Sequence, residues 1–161
     1  MKTIAVIGWK NSGKTTLVSN LTNYYSKKGI KVGVVKHAHH NFDIDHKGTD
    51  SYKIRKSGAY KTTIASNIRL AHMIEAEKLD IDITKIMDMN KDCEILIFEG
   101  FKNYKDFKKI EVSLKINNKK NLYRDIANVL AIVTDDNTEH KIPKFNHNQI
   151  AEIAEFINNN T

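Results

Sequence analysis

A chain of 161 residues with one cysteine and no long apolar run leaves no room for an internal disulfide or a membrane-spanning helix. It reads as one domain, residues 1–161, large enough for a proper core, in a reducing cytoplasm. The formal charge of +7 comes from lysines scattered without a dense basic block, which argues against nucleic acid as the main partner and suits a polyphosphate ligand.

Residues 3–7, Thr-Ile-Ala-Val-Ile, form an apolar run of the kind a buried parallel strand shows, and they read as a strand rather than as part of a signal peptide. Gly8-Trp9-Lys10-Asn11-Ser12-Gly13-Lys14-Thr15 then fits G-x-x-x-x-G-K-[ST], the phosphate-loop pattern. Residues 16–28 follow with Leu17, Leu21 and Tyr24 on one helical stripe. A phosphate loop needs a strand before it and a helix after it, and both are here. Its glycines let the backbone N–H groups point at an anion, and the helix N-terminus adds partial positive charge. Lys14 can reach the β- and γ-phosphates, and the Thr15 hydroxyl can ligate Mg²⁺. Thr16 completes the set expected to touch nucleotide.

Gly29 ends the helix, and residues 31–36 read as a second strand, giving a βαβ unit of a parallel sheet. Residues 37–51 are polar and begin at a strand's C-terminal end, where ligands of open α/β sheets bind. They hold His37, His39, His40, His46, Asp43, Asp45 and Asp50. Three readings fit: a switch-like loop lending Asp43 or Asp45 to Mg²⁺, a transition-metal site, or a solvated loop. Asp50-Ser51 can cap a short helix through Arg55, stopped by Ser57-Gly58. Residues 60–66 and 68–74 are β-rich and read as a hairpin or two neighbouring strands. Ile83, Ile86 and Met87 suggest another short helix, capped by Asp82 or Thr84.

Residues 94–100, Glu-Ile-Leu-Ile-Phe-Glu-Gly, are a buried strand ending in an acid. Beside a phosphate loop, Glu99 takes the Walker B position, which holds Mg²⁺ or orients the attacking group. Cys93, just before it, reads as a small packed residue. Residues 101–109 form a basic, aromatic connector, either solvated over packed aromatics or lending Lys102 or Lys109 to an anionic ligand. Residues 110–116 read as a strand, 117–121 as a turn and 129–134 as a further buried strand. Asp135 and Asp136 after that strand stand where many GTP-binding proteins read guanine, although the N-K-x-D form of that reader is missing. Ile150, Ile153, Ala154 and Ile157 mark a closing helix over 149–158, with an asparagine-rich tail expected to fray. The whole reads as a three-layer α/β sandwich of the P-loop NTPase type, mostly parallel, with extra strands at 60–74 and 110–116.

The chain resembles the MobB-type molybdopterin-guanine dinucleotide biosynthesis adaptor proteins. The likeness is carried by the phosphate loop, by Val35-Lys36-His37-Ala38-His39-His40-Asn41-Phe42-Asp43-Ile44-Asp45, by Gly48 to Tyr52 with Arg55 to Ala59, and by Ile97-Phe98-Glu99-Gly100-Phe101-Lys102 leading to Lys109-Ile110-Glu111-Val112. The resemblance implies a dimeric GTP-binding protein with weak Mg²⁺-dependent GTPase activity. It also implies a role assisting the MobA nucleotidyltransferase that joins GMP to molybdopterin. By position, Lys14 and Thr15 are its phosphate and Mg²⁺ residues and Glu99 its Walker B acid, and the histidine-aspartate loop would face nucleotide or cofactor. The strand end at Thr134-Asp135-Asp136 matches a base-reading site only loosely, with Asp135 its candidate, so guanine preference rests on the resemblance. Asp45 is the candidate for a second metal ligand and for positioning the attacking water. The residues bear on two other classes. A small-molecule kinase usually carries an arginine-rich lid, and this chain has only Arg55, Arg69 and Arg124. A nickel or zinc metallochaperone GTPase would use His37, His39, His40 and His46, but no C-x-x-C accompanies them.

Overall fold

The computed structural model describes residues 1–38, 42–77, 80 and 82–161. The chain divides into two compact units, Met1–His37 with Thr84–Thr161, and Ala38–Ile83.

The first unit is built on a six-stranded parallel sheet. Its strands are β1 (Lys2–Ile7), β2 (Val32–Lys36), β5 (Ile95–Glu99), β6 (Lys109–Ser113), β7 (Val129–Thr134) and the two-residue β8 (Lys144–Phe145). They lie in the order β2-β5-β1-β6-β7-β8. The second strand in sequence therefore does not pair with the first, because β5 lies between them. The apolar run of β1 is explained by that central place: Ile4, Ala5, Val6 and Ile7 are all buried, as a strand covered on both faces requires.

Helices α1 (Lys14–Lys27) and α4 (Ile150–Asn160) cover one face. Ile4, Val6, Ile95, Ile97, Ile110, Val112 and Val133 point from the strands into Leu17, Val18, Leu21 and Tyr25 of α1 and Ile153, Ala154 and Ile157 of α4. Tyr25 Oη donates to the Ala154 carbonyl at 3.0 Å, tying the two helices inside the core. The asparagine-rich tail, expected to fray, is helical. It continues α4 to Asn160, whose Nδ2 donates to the Phe156 carbonyl at 2.8 Å.

The other face is covered mainly by connectors. Phe98 stacks on Phe107 at 4.3 Å between ring centres, and Phe101 and Tyr104 pack around them. Lys109 and Glu111 also point to this face and are fully buried. Such burial is tolerated because both are satisfied by backbone groups. Lys109 Nζ donates to the Phe107 and Ala127 carbonyls at 2.7 and 3.2 Å. Glu111 accepts from the Leu122 and Tyr123 N–H groups at 2.7 and 2.9 Å. Lys109 is thus a structural cation and does not reach out to a ligand.

The second unit holds α2 (Asp50–Lys56) and the antiparallel pair β3 (Lys61–Ala65) and β4 (Leu70–Ile74), the hairpin read from its β-rich runs. The cap of α2 is Thr49 rather than Asp50 or Ser51, because Thr49 takes the extended conformation and its Oγ1 accepts from the Tyr52 N–H. Asp50 is the first helical residue. A third short helix, α3 (Ile83–Met89), leads back into the first unit.

Candidate functional site

The site lies at the C-terminal end of β1, at the head of α1. Gly8 follows β1, where a Cβ would meet the Val112 carbonyl oxygen at 2.3 Å and Ser12 Oγ at 2.4 Å. Only glycine fits that approach. Gly13 has φ +92, the left-handed region, and is the N-cap of α1. It offers no side chain to the first turn, and no side-chain cap is made there. The N–H groups of that turn are left for an anion, with the helix dipole behind them.

Lys14 Nζ arches back to the carbonyls of Gly8 and Trp9 at 3.0 and 2.7 Å, which fixes the loop's curl. Burial pulls its ammonium below the ordinary lysine value; Glu99 opposes this, and Lys36 and Lys102 add to it. Thr15 Oγ1 donates to Glu99 Oε1 at 2.7 Å. Two hard oxygens, a hydroxyl and a carboxylate, therefore meet beside the loop, the donor chemistry that Mg²⁺ takes.

Glu99 is 7% exposed and ends β5. Its backbone is held on both sides: the His37 N–H donates to its carbonyl at 3.0 Å, and the next N–H, of Gly100, donates to the Val6 carbonyl at 2.9 Å. The chain then turns through Phe101 at φ 55, a costly value for a bulky residue, and plants that ring among Phe98, Tyr104 and Phe107. The aromatic connector thus anchors the acid's strand end.

Further contacts brace the loop from sequence-distant positions. Trp9 Nε1 donates to the Lys120 carbonyl at 2.8 Å, and Asn117 Nδ2 to the Asn11 carbonyl at 3.1 Å. Lys102 Nζ lies 5.3 Å from the centre of the Trp9 ring. Asp135 Oδ1 accepts from the Lys115 N–H at 2.6 Å, so the end of β7 is linked through the 115–121 connector to the loop. Asp136 is taken up by Thr138 and His140, with His140 Nε2 at 2.9 Å. Lys10 and Thr16 are exposed beside these groups, and Ser12 is buried inside the curl.

Asp45 belongs to the second unit. Its Oδ1 accepts from the His46 N–H, Thr49 Oγ1 and Ser51 Oγ at 3.0, 3.1 and 2.9 Å. Arg55 gathers three acids of that unit: Nη2 reaches Asp43 at 2.6 Å, Nη1 reaches Glu75 at 2.7 Å and Nε lies 3.4 Å from Asp45. Burial pushes the Asp45 carboxyl up, but those hydrogen bonds and Arg55 together hold it below the usual carboxylate value. The candidate ligands His39 and His40 lie outside the described residues. Among the described residues no cluster of three or more His, Cys, Asp or Glu side chains is placed to hold a metal ion. No helix among them is long and apolar enough to cross a membrane.

Lys36 was not singled out by sequence reasoning as a site residue. Its ammonium lies 3.1 Å from Glu99 Oε1 and 3.4 Å from Thr15 Oγ1. Sequence spacing carries no hint of this, since it depends on β5 rather than β1 standing next to β2.

A parallel α/β sheet whose first strand runs into a glycine-curled loop and an uncapped helix, with an acid from the adjacent strand on the loop's threonine, defines a P-loop NTPase-like protein. Solved structures agree. The chain matches a structure titled molybdopterin-guanine biosynthesis protein B at TM-score 0.74 and 26% identity, covering 99% of each chain. It matches the Bacillus subtilis MobB structure at TM-score 0.75 and 24% identity, covering 99% of this chain and 97% of that one. The sequence model of the family described as MobB, molybdopterin guanine dinucleotide synthesis protein B, matches residues 3–135, and the chain belongs to that family. Two relatives are named molybdopterin-guanine dinucleotide biosynthesis adapter protein. The Haemophilus influenzae one is 31% identical over 157 residues, 97% of this chain and 87% of its own. The Escherichia coli one is 40% identical over 104 residues, 62% of this chain. That match spans only 59% of the Escherichia coli protein, and the match to the Methanocaldococcus jannaschii relative spans 42% of that protein.

Proposed function

We propose that this chain is a GTP-binding adaptor of molybdopterin guanine dinucleotide biosynthesis. The observation that carries the nucleotide half is the 2.7 Å contact between Thr15 and Glu99 at the head of the uncapped α1. The curled loop from Gly8 to Thr16 wraps the phosphates, and its N–H groups and Lys14 hold their charge. Thr15 and Glu99 would hold Mg²⁺, which would supply charge to neutralise the phosphates. The chemistry at this site is slow hydrolysis by water. The guanine reader in this account is the Asp135 end of β7 with the 115–121 connector. The adaptor half is supported by family membership and by the names of the relatives. On this reading the partner is a MobA-type guanylyltransferase with its molybdopterin substrate, and the working form is a cytoplasmic homodimer.

The test is guanylylation of molybdopterin by a MobA-type transferase, with and without the chain. Wild type is expected to raise the rate or yield, and Lys14→Ala is not. Sedimentation is expected to give a dimer. An unaffected transferase that does not associate with the chain contradicts the adaptor reading.

A further inference from the structure

Lys36 ends β2 directly beside Glu99, because the two residues are register partners across β2 and β5. It engages the same two oxygens, of Glu99 and Thr15, that the reading above gives to Mg²⁺. The Glu99 side chain is 9% exposed, whereas that of Lys36 is 59% exposed. The acid is therefore fixed, and the lysine is free to swing its compact charge on a flexible stem. The Lys14 ammonium lies instead on the Gly8 and Trp9 carbonyls.

We infer that Lys36 is a stand-in cation: it neutralises Glu99 until nucleotide and Mg²⁺ arrive, and so couples the metal's entry to that of the phosphates. The inference rests on the nucleotide reading and goes beyond it. A dication and an ammonium repel each other at a shared carboxylate oxygen. Mg²⁺ can displace Lys36 readily only when a phosphate chain is present to receive the released ammonium. In the metal-free protein, Lys36 keeps Glu99 from repelling an incoming triphosphate.

The experiment compares wild type, Lys36→Met and Lys36→Arg. GTP affinity is measured in EDTA and in Mg²⁺, and Mn²⁺ binding without nucleotide is measured by electron paramagnetic resonance. Exposed ion pairs contribute up to about 1 kcal/mol, roughly fivefold in affinity. Lys36→Met is therefore expected to bind Mn²⁺ about fivefold tighter without nucleotide. Metal and nucleotide binding are reciprocal, so with an unchanged metal affinity of the nucleotide complex its ratio of GTP Kd in EDTA to Kd in Mg²⁺ is expected to fall by the same factor of about five. Lys36→Arg is expected to keep the wild-type ratio. A lysine making only a surface ion pair moves the unfolding midpoint and leaves the ratio alone, so an unchanged ratio in Lys36→Met overturns the inference. Failure of the underlying reading looks different: wild type and Lys14→Ala then handle GTP alike.

Discussion

A methyl group added at Gly8 tests whether the curl of the loop makes the binding site. The Cβ of Gly8→Ala falls 2.3 Å from the Val112 carbonyl oxygen and 2.4 Å from Ser12 Oγ. That is roughly 1 Å inside ordinary van der Waals separation. Ser12 is 1% exposed and has little room to retreat. Val112 is fully buried in β6 and paired with Val133 on β7, so the sheet will not yield. The loop must move instead, by about the same 1 Å. Overpacking of this kind costs about 1–3 kcal/mol of stability. Anion-binding N–H groups misplaced by that distance lose a comparable amount, about ten- to hundredfold in nucleotide affinity. Trp9 is the only tryptophan in the chain and sits in the loop, so its fluorescence reports GTP titrations directly. Urea unfolding of the same samples gives the stability change. A folded Gly8→Ala protein that binds GTP as tightly as wild type would refute the argument.

Three further outcomes follow from buried groups. Burial pushes the Glu111 carboxyl above its ordinary 4.5, against the pull of the Leu122 and Tyr123 N–H groups. The unfolded chain therefore releases this proton first as pH rises, and Glu111 makes stability fall from pH 4.5 up to its raised folded value. Urea midpoints of Glu111→Gln are expected to lack that fall, while losing about 1–3 kcal/mol near neutrality because the Tyr123 N–H then faces an amide NH₂. The Tyr25 hydroxyl is pushed up to about 12 by burial and by Tyr24, so it costs stability as pH rises above 10. Tyr25→Phe is expected to remove that alkaline slope and to cost about 1 kcal/mol at neutral pH through the lost bond to Ala154, read by the same unfolding curves. Leu21→Ala, at a fully buried position of α1, is expected to cost about 2–5 kcal/mol while leaving GTP affinity of the folded protein unchanged.

The site was legible where its chemistry is local. Eight consecutive residues carry the loop, and the run from Glu94 to Gly100 carries the strand and its acid. What escaped is non-local. The ammonium of Lys36 meets Glu99 only because β5 inserts between β1 and β2, and strand order is not written in either strand. The contacts of Trp9 with Lys120 and of Asn11 with Asn117 span more than a hundred residues and appear in sequence only as an asparagine-rich turn. Lys109 and Glu111 alternate with apolar neighbours like an exposed strand face. They are buried because the connectors at 101–108 and 114–128 close over them with backbone partners. Helix α4 outran its expected end because Asn160 bonds back along the helix, which composition alone does not reveal.

The central claim is nucleotide binding with guanine preference at this loop. Paired titrations of GTP and ATP with Mg²⁺, on wild type and Lys14→Ala, test it most directly. The account predicts that GTP binds tighter than ATP and that Lys14→Ala loses both. Equal or tighter ATP binding, or a Lys14→Ala protein that binds GTP like wild type, would contradict it.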